Sequence, residues 1–399
     1  MKDLNRPTRD ILLGSMALTC CGLMVLYPEL AVNSASKGVT LWVDTVLPAL
    51  LPFFICANFM VAMGIPELVG RWFQRPFRLL YGTSGKAAFV FLISITSGYP
   101  MGPKLIGDLI RSGEISTVEG KRMLSFCSTS GPLFLMGSVG AGMLGSPAGG
   151  ALIATAHYLG ALINGLLFRF LPSEGRSDDR VRVRPEPTNR IREHSMIEIL
   201  TESILSALRT LGLICAFIVL FMMCSDFLLF FGMYQWIPNE NLHPAMKGFL
   251  EMTVGCDAAA QLDQRLIWQC VLCAGIISWG GLSILAQSMS VLKDTGIRVT
   301  HYIKVKASHS ILAGLLAWIL SPYFLTKATE TIKLQGQPST QAAIGDPIPL
   351  LYSLFYSMKM IIIVLAVLIA IVCWDRAAIR RKNLTQGKEA AREGRRHHR

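Results

Sequence analysis

Blocks of apolar residues too long for a water-soluble core dominate this sequence. They run over residues 11–32, 40–63, 123–144, 148–170, 204–231, 307–324 and 350–374, and a helix needs ~20 apolar residues to cross the hydrocarbon of a bilayer. With 52% hydrophobic and 16% charged residues in 399, the chain reads as an all-α polytopic membrane protein, because only helices or closed barrels satisfy their backbone in lipid. The first block follows Lys2, Arg6 and Arg9. A secretory signal peptide competes there, but the run is long and no small-x-small site closes it, so it is read as an uncleaved helix. A lipoprotein signal at Cys20 or Cys21 fails because Thr19 or Cys20 stands where a small residue is needed.

The net charge of +12 does not indicate nucleic acid, because the cations sit beside spans. Arg71, Arg75, Arg78 and Lys86 share one loop, Arg176, Arg180, Arg182, Arg184, Arg190 and Arg192 share another, and residues 376–399 form a basic tail. Positive-inside bias explains such clusters, and attraction of the tail to anionic lipid is compatible with it. The ten cysteines fall mostly in apolar blocks, where sulfur behaves as a small hydrophobe. Cys270 and Cys273 form a C-x-x-C pair without flanking proton-handling residues, which weakens a redox reading.

A polar stretch divides the chain into a first helix (1–34), a first repeat (35–171), a basic cytoplasmic linker (172–197), a second repeat (198–375) and the tail (376–399). Laying Gly98 on Gly281 also superimposes Gly113 on Gly296, Thr117 on Thr300, Lys121 on Lys304, Ser125 on Ser308 and Gly131 on Gly314. Each half then reads as spanning helices around an interrupted, re-entrant-like segment, and odd crossings per half would invert the two repeats. That count sets the basic tail outside, against the positive-inside rule, unless the second interrupted segment crosses fully.

The interruptions carry the candidate site. ITSGYPMGPKLIGDLI (95–110) puts Gly98, Pro100, Gly102 and Pro103 inside an apolar run, with hydroxyls on Ser97 and Tyr99. Non-helical backbone at membrane depth is tolerated only against protein or a wet cavity. The helix resuming at Met101 would offer N–H donors and a dipole to an anion, with Lys104 adding a charge; an internally satisfied kink is the plain alternative. Ser128, Ser130 and Gly131 lie at a second break, STSGP, and Gly280, Gly281 and Ser283 lie at SWGGLS in the second half, with Gln287 opposite Lys104 in the repeat register. KGFLEMTVGCDAA (247–259) adds Glu251 and Thr253, either a coupling or substrate site at membrane depth or part of a solvated loop. His301 and His309 are too isolated to hold a metal and are read instead as candidates for a polar lining, and no metal site, cofactor or phosphate loop is expected. Transport driven by ATP on this chain alone is therefore disfavoured.

TVLPALLPFFICANFMVAMG (45–64), SGYPMGP (97–103), CSTSGPLFLMGSVG (127–140), GFLEMTVG (248–255) and WGGLSILAQ (279–287) together resemble the YlbJ-type sporulation integral membrane proteins, which carry a nucleoside-recognition or Gate domain. The resemblance covers roughly 40–324. It implies a multi-pass protein of the cell membrane, in the outer forespore membrane of sporulating cells, that carries dipicolinic acid, a small planar dicarboxylate. It also implies other sporulation membrane proteins, or a second copy, as candidate partners. The long basic tail is a departure from the family pattern. A non-transporting scaffold of a sporulation complex, or a Gate-type transporter of a nucleoside or another solute, are the alternatives. An intramembrane enzyme lacks a nucleophile with a positioned base.

Overall fold

A computed structural model of the chain describes residues 6–170, 195–233, 239 and 242–334. Most of the polar connector, the apolar block at 350–374 and the basic tail lie outside the described residues. The described chain is helical throughout. In order come α1 (Arg6–Leu26), α2 (Pro28–Leu41), a π-helical turn (Trp42–Val46), α3 (Leu47–Ala62), α4 (Ile65–Tyr81), α5 (Lys86–Ser97), α6 (Met101–Arg111) and α7 (Thr117–Leu124). A π-helical segment (Leu133–Met143) follows, then α8 (Pro147–Phe170), α9 (Met196–Phe230), α10 (His243–Leu250) and α11 (Met252–Ala260). The series ends with α12 (Leu266–Trp279), α13 (Gly281–Val291) and α14 (Val299–Leu334).

Among the described residues, four stretches are long and apolar enough to cross a membrane: Pro147–Arg169, Met196–Phe230, Leu266–Val291 and Val299–Leu325. The sequence blocks at 148–170, 204–231 and 307–324 fall within three of them. The other blocks are reshaped by proline and glycine. Pro28 opens α2 at a position where its missing N–H costs nothing, and α1 and α2 meet at 108° instead of forming one span. Gly64, at φ 74°, turns the chain between α3 and α4 by 80°. α4 is amphipathic: Phe77 and Tyr81 are buried, while Arg71, Trp72, Arg75 and Arg78 are exposed, the pattern of a helix lying at a lipid interface. The block at 123–144 is no single helix either, because STSGP separates α7 from the π-helical segment.

The second interrupted segment corrects the re-entrant expectation. α12 and α13 continue as one 26-residue stretch long and apolar enough to cross a membrane, across Gly280 and Gly281, which is the full-crossing alternative that the sequence left open. The piece that folds back on itself is α10 with α11. A Cβ on Gly255 would stand 2.2 Å from the Gly248 Cα, so these two short helices lie against one another with their tip at Leu250 and Glu251. At ~1.5 Å per residue, neither is long enough to cross alone.

Backbone angles follow the internal duplication. Gly98 and Gly281 adopt φ of 76° and 77°, and Gly113 and Gly296 both adopt 74°, values that cost an L-residue strain and glycine little. Around the breaks, α8, α12 and α14 pack through small residues. Gly160 abuts Ala313, the Ser310 hydroxyl donates to Gly275 O, and the Asn164 amide donates to Ser125 O and Val305 O.

Candidate functional site

The interrupted segments of the two halves meet. Tyr99, in the first break, donates from Oη to Ile277 O just ahead of the second break, at 3.1 Å. His157 on α8 spans the same gap. Its Nε2 accepts the Ser130 N–H at 2.9 Å, which requires a lone pair there and so puts the ring proton on Nδ1, 2.7 Å from Ser278 Oγ. Tyr302 on α14 forms a third bridge, sharing its hydroxyl with Ser128 Oγ at 3.0 Å and Ser288 Oγ at 2.8 Å. Backbone freed by the glycines and prolines is thus held by side chains from neighbouring helices, as membrane depth demands.

Between these segments lies a cavity of about 310 Å³. Ser97, Gly98, Tyr99, Ser130, Gly131, Glu251, Thr253, Ser283 and Gln287 all contribute to its lining. Phe53, Leu50, Phe134, Ile214 and Ile218 form apolar wall. This is the composition of a small-solute site, mostly apolar with a few convergent polar groups. Two of those groups have no partner among the described residues: Ser97 Oγ and Gln287 Oε1 are buried and make no hydrogen bond there. An orphaned buried polar atom costs ~1–3 kcal/mol, a penalty that a solute or water would remove once a small side-chain movement opened either atom to the cavity. The other end of the Gln287 amide is fixed, since Nε2 donates to Ser283 Oγ at 3.1 Å.

Glu251 is 4% exposed and sits at the hairpin tip, where its carboxylate accepts the Val254 N–H at 2.9 Å and caps α11. It is therefore both a structural cap and the one ionisable carboxyl in the lining, between the two readings the sequence left open. Gly281 lets the break approach it closely: a Cβ there would stand 2.8 Å from Leu250 O.

Five of the sequence candidates do not line the cavity. Lys104 turns away; its Nζ donates to Asn58 Oδ1 at 2.8 Å and pairs with Asp108 at 3.0 Å. The expected anion site on the first turn of α6 is closed too, because Gly102 presses on the neighbouring strand of backbone, where a Cβ would fall 1.6 Å from Cys127 O. Ser128 is spent on Tyr302, and Gly280, at φ 84°, ends α12 against Ile284. Gly281 shapes the wall without lining it.

Sequence reasoning passed over the layer behind the cavity. Lys306 on α14 is 1% exposed, with Nζ 2.6 Å from Tyr99 Oη and 3.2 Å from Ser128 O. His309 donates from Nε2 to His157 O at 2.8 Å, and the two imidazole rings lie 4.7 Å apart. The signal available was a second lysine in HYIKVKAS, two residues after the one the repeat aligned. His301, by contrast, reaches Lys121 O well away from the cavity lining.

No family model matches the sequence, and no solved structure matches it. The chain is 28% identical over 339 residues to the sporulation integral membrane protein YlbJ of Bacillus subtilis (strain 168), across 78% of this chain and 82% of that one. The chain is thus similar over most of its length to a sporulation integral membrane protein of the YlbJ type.

Proposed function

We propose that this protein is a secondary transporter or facilitator for a small organic anion in endospore formation, with dipicolinate carried across the outer forespore membrane as the leading solute. The observation that supports the reading is the cavity itself: a pocket at the junction of two interrupted helices, lined by hydroxyls and by two polar atoms without partners. Paired helix breaks near the middle of a membrane fold are where secondary transporters hold their solutes. Phe53 and Phe134 offer apolar faces to a planar ring, and Ser97, Ser130, Ser283 and Gln287 offer hydrogen bonds to its rim. The role in sporulation follows the relative's description.

The anion poses one electrostatic condition. Glu251 is the charged group of the lining, and two carboxylates at close range repel strongly where water is scarce. A carboxylate solute therefore enters when Glu251 is protonated, and the carboxyl then turns from repelling group to hydrogen-bond donor. Proton-linked flux is the consequence. Purified protein in proteoliposomes is expected to take up dipicolinate faster than protein-free vesicles, and an imposed proton gradient is expected to change the rate. Uptake equal to that of protein-free vesicles under both conditions rejects transport and favours the scaffold reading.

A further inference from the structure

Lys306 stands where the first repeat carries Met123. Both side chains are fully buried, so the second half holds a lysine amine in a place the first half fills with a thioether. Among the described residues that amine has only neutral partners. It donates to the Tyr99 hydroxyl and to Ser128 O, and it lies 4.3 Å from the centre of the Tyr99 ring. Among the described residues no carboxylate comes within ion-pair distance of it. The imidazoles nearby bring no negative charge, since His157 and His309 are bonded to Ser130, Ser278 and the His157 carbonyl. A buried cation without a counter-anion is costly to keep, and an ionisable side chain at membrane depth is by default functional.

One side chain separates this cation from the cavity. Tyr99 contributes to the cavity lining and is itself the principal partner of Lys306. We propose that Lys306 is the anion-recognition residue: Tyr99 covers it in the conformation described, and a carboxylate of the solute replaces the Tyr99 hydroxyl and ring as its partner when Tyr99 swings aside. The proposal rests on the transport reading and deepens it by naming the missing positive charge. It also gives solute arrival a structural effect, because Tyr99 cannot leave Lys306 without disturbing its bond to Ile277 O, a contact between the two breaks.

The test is equilibrium binding to the full-length protein in detergent, read by calorimetry and separately from flux. Wild type is expected to bind dipicolinate at least tenfold more tightly than pyridine-2,6-dimethanol, a neutral molecule of similar shape. Lys306→Met, which restores the residue of the other repeat, is expected to lose dipicolinate binding at least tenfold while its melting temperature stays level or rises. Lys306→Arg should remain within about threefold of wild type. Dipicolinate binding by Lys306→Met within threefold of wild type overturns the proposal. Should that variant not fold, wild-type binding that fails to favour dipicolinate over the dimethanol, or that is absent for both, overturns it equally. Tight, Lys306-dependent binding with no flux in vesicles would sink transport and leave the site standing; normal flux with binding indifferent to Lys306 would do the reverse.

Discussion

The two interrupted helices occupy corresponding places in the duplication and do different work. In the first, the residue that resumes the helix pattern with a charge is Lys104, and it is locked to Asn58 and Asp108. In the second, the corresponding residue is Gln287, and its Oε1 is left without a partner at the cavity. Behind the breaks the polarity reverses: the first repeat buries Met123 where the second buries Lys306. A duplicated scaffold thus keeps its backbone kinks, seen in the matching angles of Gly98 and Gly281, while the chemistry at equivalent positions diverges. The first copy ties down its lysine and leaves Ser97 Oγ without a partner, and the second leaves Gln287 Oε1 without one and buries a lysine behind the break.

Substitutions can break or sharpen this comparison. The largest effect is expected at Gly102, whose counterpart in the second repeat is Leu285. A Cβ at Gly102 lands 1.6 Å from the Cys127 carbonyl oxygen and 2.8 Å from the Ser94 hydroxyl, and the Cys127 backbone has no far end that can swing away. Gly102→Ala is expected to abolish folded protein, measured as loss of the monodisperse peak in size-exclusion chromatography. Next come Gly98→Ala and Gly281→Ala. Each forces a positive φ on an L-residue and drives a Cβ to 2.7 or 2.8 Å from backbone, and each is expected to cost at least about 1–3 kcal/mol. Comparable falls in thermal stability for the two would confirm that both breaks bear the same backbone load.

Lys104→Gln should do much less. Asp108 keeps its pairing with Arg111 at 2.7 Å and is partly exposed, and Lys104 does not line the cavity, so the change leaves the solute path intact. Dipicolinate uptake is expected to stay within twofold of wild type, measured as initial rate in proteoliposomes. A tenfold loss there would return Lys104 to the solute site and erase the contrast with Gln287.

Much of this was legible in the sequence. Apolar block length gave the membrane class, and glycine and proline inside those blocks marked the breaks because their backbone effects are local. What the breaks face is not local. Lys104 looked available because its capture depends on Asn58, far away on α3. Lys306 drew no attention in the sequence because it precedes the apolar block at 307–324, but α14 begins at Val299 and runs for 36 residues, which carries Lys306 about two turns inside the helix. The hairpin of α10 and α11 was hidden for a related reason: its two helices are too short to register as spans, and only the contact of Gly248 with Gly255 shows that they fold together.

The central claim is that a solute sits where the two breaks converge, held by the polar atoms that lack partners in this conformation. The most direct measurement is the initial rate of dipicolinate uptake by the double variant Ser97→Ala, Gln287→Leu, compared with wild type at equal melting temperature. The account predicts at least a tenfold loss of rate at little net change in stability, because two orphaned buried groups are removed while the Ser283 hydroxyl loses the Gln287 donor. Wild-type uptake by that variant would contradict it.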